Sequence, residues 1–183
     1  MNRYELAVIL GFFLFPVLFT ILVPVVYEMW HVLLLRFFGC PYSMKFYFHV
    51  IFGFSARIDY TCVLSKLSSG ILLLSGHIGN ILIGLFLYSI SYLLATKTRF
   101  CASVFLSIIS LPFIFSSSYY FILKEPDFMN FLALINVKNE LVPIVAGFLL
   151  FSISFFLFWK NLEYTSEGFF VKVELKKRDQ SET

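Results

Sequence analysis

LSSGILLLSGHIGNILIGLFLYSISYLLA, residues 67–95, is followed at once by Lys97 and Arg99. Those 29 residues carry no Asp, Glu, Lys or Arg. At about 1.5 Å per residue they form a helix of about 43 Å, longer than the roughly 30 Å hydrocarbon core of a bilayer. This stretch decides the fold class, and the rest of the chain agrees with it. Of 183 residues, 60% are hydrophobic and only 14% charged, with a mean hydropathy of +0.87; globular domains run near 45–50% and 25%. Phe occurs 25 times. An ordinary soluble domain is excluded, and an integral, multi-pass membrane protein remains, a cell-membrane location being the natural one.

Working outward, the block from Leu6 to Phe38 is too long for one span and is interrupted by Pro16 and Pro24. Each proline removes a backbone donor and can kink or end a helix. The expectation is a helix near 4–22 and a second from Pro24 to Phe38, stopped by Gly39 and Pro41; one long kinked helix is the competing reading. The block reaches Glu28 without an A-x-A-type cleavage site, so it reads as a retained segment and not a signal peptide. Residues 43–64, SMKFYFHVIFGFSARIDYTCVL, are rich in Phe, Tyr, Val and Ile around Gly53 and Ser55 and predict a short β-hairpin. An open strand edge cannot face lipid, so this hairpin must be paired or covered by protein.

Residues 102–123 and 141–159 predict two further spans, and 124–140 is too polar at its start to cross. The sum is an all-α bundle of four to five transmembrane helices with a short membrane-associated hairpin. Residues 1–162 form the membrane domain, and 163–183 a short basic soluble tail. Within that tail EGFFVKVELKK (167–177) alternates apolar and charged residues like a strand or a frayed end.

Net charge is +3, and only the tail KKRDQ (176–180) clusters basic residues. That suits contact with an anionic lipid surface and gives no footprint for nucleic acid. Cys40, Cys62 and Cys101 are odd in number and lack CxxC spacing, which argues against a disulfide framework or a thiolate zinc knuckle. The basic tail favours a cytoplasmic C-terminal side, while Arg36, Lys45, Arg57 and Lys66 leave the orientation open.

Ionisable groups at bilayer depth are costly and are therefore the first functional candidates. In VVYEMWHVLLLRFFG (25–39), Tyr27, Glu28 and His31 project from one helical stripe at i, i+1 and i+4. The metallopeptidase motif HExxH uses this geometry, two imidazoles one turn apart binding zinc and a glutamate activating the bound water. Here its second histidine and its glutamate are present, and tyrosine stands in place of the first histidine. In residues 67–95, Gly76, Asn80 and Gly84 recur every fourth residue, a small-residue stripe that lets another helix approach closely. No phosphate-binding glycine loop appears, and Ser116–Ser118 has no base at a legible spacing.

The order of these features resembles the site-2-protease family of intramembrane zinc metallopeptidases over about residues 24–136. YEMWHVLLLRFFGCP is similar to that family's HExxH helix, and the hairpin with FGFS (52–55) to its membrane-associated strands. LSKLSSGILLLSGHIGNILIGLF (64–86) is similar to the helix that leads to an Asn, matched here by Gly76 and Asn80, with His77 where proline is usual. EPDFMNFLALIN (125–136) stands where the family supplies a carboxylate ligand, which points to Asp127. The resemblance implies zinc held by His31 and Asp127, Glu28 as general base, and a substrate peptide lying against Phe52, Gly53, Gly76 and Asn80. It also implies that Tyr27 leaves the ligand set one short, because a phenol ionises only near pH 10. The expected function is accordingly a scaffold or peptide-binding relative with impaired or lost peptidase activity, its partner a transmembrane peptide or protein. The alternatives are an active zinc endopeptidase that recruits His77, and an unrelated small membrane subunit of a larger complex.

Overall fold

A computed structural model of the chain describes residues 3–49 and 53–181. Helix α1 (Arg3–Val17) passes through a single π-helical turn (Leu18–Leu22) into α2 (Val23–Phe37). The antiparallel strands β1 (Tyr42–His49) and β2 (Gly53–Tyr60) follow, then α3 (Lys66–Thr96), α4 (Phe100–Ile122), the short α5 (Pro126–Leu134) and α6 (Leu141–Ser181). Among the described residues, four helices are long and apolar enough to cross a membrane: 3–37, α3, α4 and the part of α6 up to Glu174.

The expected break between two N-terminal helices is absent; the long, continuous alternative is the one observed. Pro24 cannot donate to Thr20, and the widened turn immediately before it absorbs that loss without ending the helix. Thr20 returns its hydroxyl to the Pro16 carbonyl at 2.7 Å. Helix α3 starts at Ser65, whose Oγ accepts from the Ser68 amide at 3.1 Å. Its turn into α4 runs through Thr98 at φ 58°.

Two other expectations are corrected. The tail does not form a strand: residues 167–177 continue α6 as helix. A strand there would have no edge to pair with among the described residues, whereas a helix satisfies its own backbone, and Phe169 stacks on Tyr4 with ring centroids 5.0 Å apart. Cys40 and Cys62 form a disulfide, their Cα atoms 5.5 Å apart, a separation ordinary for a bridge. The hairpin explains it. Tyr42 pairs with Tyr60, so extending the register by two residues brings Cys40 opposite Cys62.

Helix α4 packs against α1, α3 and α6 and is the most enclosed of the long helices. Its buried face is rich in serine: Ser103, Ser107, Ser110 and Ser116–Ser118. Small side chains let the neighbouring helices come close. Toward the N-terminal end of α4, Asn161 Nδ2 donates to Ser91 Oγ at 2.6 Å, and Ser91 Oγ donates to the Ser103 carbonyl at 2.7 Å. Asn161→Ala is expected to cost about 1 kcal/mol, the net worth of one such hydrogen bond. The check is a lower thermal midpoint for the purified variant.

Candidate functional site

The middle of α2, the third and fourth turns of α3 and the start of α5 build the site. Tyr27, Glu28 and His31 lie on α2; Tyr27 and His31 point inward and are buried, as the stripe at 27/31 requires. Gly76 of α3 lies directly beneath the Tyr27 ring, and Gly79 beneath the Trp30 indole. A Cβ at either position would overlap the ring above it, so only glycine allows α2 and α3 this separation. His77, also on α3, therefore faces the same space and is 1% exposed.

Helix α5 supplies the carboxylates. Lys124 takes φ 54° to end the preceding turn, and Glu125 caps α5: its Oε2 accepts from the Asp127 amide at 3.0 Å and the Phe128 amide at 3.3 Å. Pro126, in the first turn, loses no intrahelical bond. Phe128 stacks on Phe121, centroids 3.8 Å apart, and both rings contact His77 edge-on. That aromatic wedge sets α5 so that Asp127 reaches α2 across a hundred residues of sequence.

The Tyr27 hydroxyl donates to Asp127 Oδ2 at 3.2 Å and lies 3.3 Å from His77 Nε2. Its one proton goes to Asp127, so its oxygen accepts from an Nε2–H tautomer of His77. His31 Nε2 is 3.4 Å from Asp127 Oδ2, and His31 Nδ1 is 3.6 Å from Glu28 Oε2. His77 Nε2 is 3.6 Å from Glu125 Oε2. Partial burial, reinforced by Glu125, pushes the Asp127 carboxyl up to about 6. Both ring nitrogens of His31 and Nδ1 of His77 are buried without a hydrogen bond.

The structure thus brings together Tyr27, Glu28, His31, His77 and Asp127. A cavity of about 350 Å³ adjoins them, walled by Glu28, His31, Glu125, Asp127, Asn130 and, from β2, Arg57, Ile58 and Tyr60. Gly76 and Asn80 do not line it. Gly76 packs under Tyr27; Asn80 is fully buried, with Nδ2 3.5 Å from the Val23 carbonyl and 3.4 Å from Ser116 Oγ. Gly53 pairs with His49 at the far end of the hairpin, and Phe52 lies outside the described residues. Glu125 is the site residue that sequence reasoning missed; an acidic residue immediately before Pro126 is the signal of an N-cap.

As arranged, the side chains form two His–carboxylate pairs bridged by a tyrosine. Among the described residues, no three His, Cys, Asp or Glu side chains gather in a way that could hold a metal ion. Comparison of the chain with protein-family models, with curated proteins and with solved structures finds no match to any of them.

Proposed function

We propose that this chain is a multi-pass membrane protein, similar in design to the site-2-protease family, in which the metal position has been taken over by a tyrosine. Membrane insertion is supported by the outward-facing side chains of the four long helices. Phe13, Phe37, Phe86, Phe148 and Phe156 are all more than half exposed, a surface stable against acyl chains and not against water. The Tyr27 hydroxyl between His77 and Asp127 carries the functional reading. It satisfies by hydrogen bonding the groups that a divalent ion would otherwise neutralise. Zinc needs three protein ligands and an open position; a neutral phenol in the middle supplies neither. The chain is then a binding or scaffold protein, its cavity holding a segment of a transmembrane or juxtamembrane polypeptide without hydrolysing it.

A second reading has its own observation. Both His31 nitrogens are buried with carboxylates at 3.4 and 3.6 Å but no hydrogen bond, and His77 Nδ1 is buried without one, which is costly. A zinc ion drawn in beside Asp127, with His77 turning to join the set from an arrangement that does not gather these three as it stands, would satisfy His31 Nε2, and Glu28 would then orient His31 through Nδ1.

Zinc stoichiometry of the purified protein separates the two. The wild type is expected to bind well below one equivalent and Tyr27→His close to one, because the new imidazole completes a set with His31 and Asp127. Full occupancy in the wild type, abolished by His31→Ala, would establish the zinc-holding alternative. Absence of zinc from both proteins removes the metallopeptidase likeness as a guide to function.

A further inference from the structure

The three cysteines sort by end of the bundle. Cys40 and Cys62 are joined where α2, the hairpin and α3 meet. Cys101, a free thiol, sits in the first turn of α4 at the opposite end, packed against the cluster that contains Tyr4 and Phe158. Disulfides persist in oxidising compartments and are kept reduced in the cytosol. The chain path gives the same partition. If each of the four long helices crosses, the hairpin and 123–140 share one side, and Arg3, the 97–99 turn and the far part of α6 share the other.

Basic residues lean weakly the same way. Arg3, Lys97, Arg99, Lys160, Lys172, Lys176, Lys177 and Arg178 stand on the second side, against Arg36, Lys45, Arg57, Lys66, Lys124 and Lys138 on the first. Eight against six is a small excess under the positive-inside rule, so the disulfide decides. The cavity is on the disulfide side: its walls come from the last turns of α2, the base of β2, the second turn of α3 and the start of α5.

We infer that the hairpin, α5 and the cavity mouth face the oxidising side of the membrane, with the 97–99 turn and the far part of α6 on the cytoplasmic side. The candidate site is then entered by solutes and polypeptide segments from outside the cytoplasm. This rests on the membrane reading above, and its test keeps the two apart.

The full-length protein, in a Cys101→Ser background, is expressed in cells with an intact oxidising compartment. It carries either Asn130→Cys, at the exposed rim of the cavity, or Lys97→Cys, in the exposed turn. Intact cells are treated with a membrane-impermeant maleimide, and the wild-type Cys40–Cys62 linkage is mapped by mass spectrometry after free thiols are blocked. The expected result is labelling of N130C in intact cells, labelling of K97C only after permeabilisation, and a linked peptide pair. The reverse labelling pattern, or Cys40 and Cys62 recovered as free thiols, overturns the inference while leaving membrane insertion standing. Release of the protein from membranes by alkaline carbonate overturns the membrane reading and the inference with it.

Discussion

Gly76→Leu is expected to lower stability by about 3 kcal/mol, toward the upper end of overpacking penalties. The added side chain starts inside the van der Waals envelope of the Tyr27 ring. Tyr27 is itself enclosed by His31, His77 and Tyr120, with ring centroids 4.9, 5.0 and 5.5 Å away, so it has nowhere to retreat. Helices α2 and α3 must separate, which also parts the Tyr27 hydroxyl from Asp127. Leu82 lies on the outward face of the same helix and is more than half exposed; Leu82→Ala is the matched control and should be near neutral. Thermal midpoints in one detergent measure both. An unchanged midpoint for G76L would mean that α3 does not pack on α2 through this face.

Loss of the disulfide is the second large effect. Cys40 and Cys62 close a loop of 22 residues. Chain entropy alone makes such a closure worth about 3 kcal/mol. Cys40 is buried with Leu35 and Leu72, against Tyr42, Ile58 and Leu64. Cys40→Ala therefore removes both the cross-link and part of a small apolar cluster. The variant should show a lower thermal midpoint and faster proteolysis within 42–60, and reductant should reproduce the effect in the wild type. If reductant leaves the midpoint unchanged, the pair contributes nothing to the folded state.

Much of this architecture is legible in the sequence because apolar length and punctuation are local signals. Residues 67–95 need no partner to read as a long helix, and the aromatic, β-branched run at 43–64 reads as a hairpin. The candidate residues Tyr27, His31 and Asp127 are visible because ionisable groups stand out against apolar neighbours. What is not legible depends on compensation elsewhere. Pro16 and Pro24 look like breaks until the π turn between them is seen to take up the lost bond. EGFFVKVELKK alternates like a strand, but alternation cannot decide without an adjacent edge to pair with. Cys40 and Cys62 look unrelated at a spacing of 22; only the hairpin register aligns them. Glu125 hides because its role at the site comes from capping α5, a task any acceptor at that position performs.

The 41-residue length of α6 has a mechanical consequence. At about 1.5 Å per residue it measures about 61 Å, twice the hydrocarbon thickness. Contacts of Gly168 with Phe100, of Phe169 with Tyr4 and of Lys172 Nζ with Thr98 Oγ1 at 3.4 Å hold it against the bundle. From Lys172 to Ser181 the helix runs on for about 14 Å with neither proline nor glycine to bend it. Such an extension has the geometry of a lever and of a ruler. A tilt of α6 against α4 would displace that tip more than any point inside the bundle, and the helical rise sets the tip's distance from the bundle.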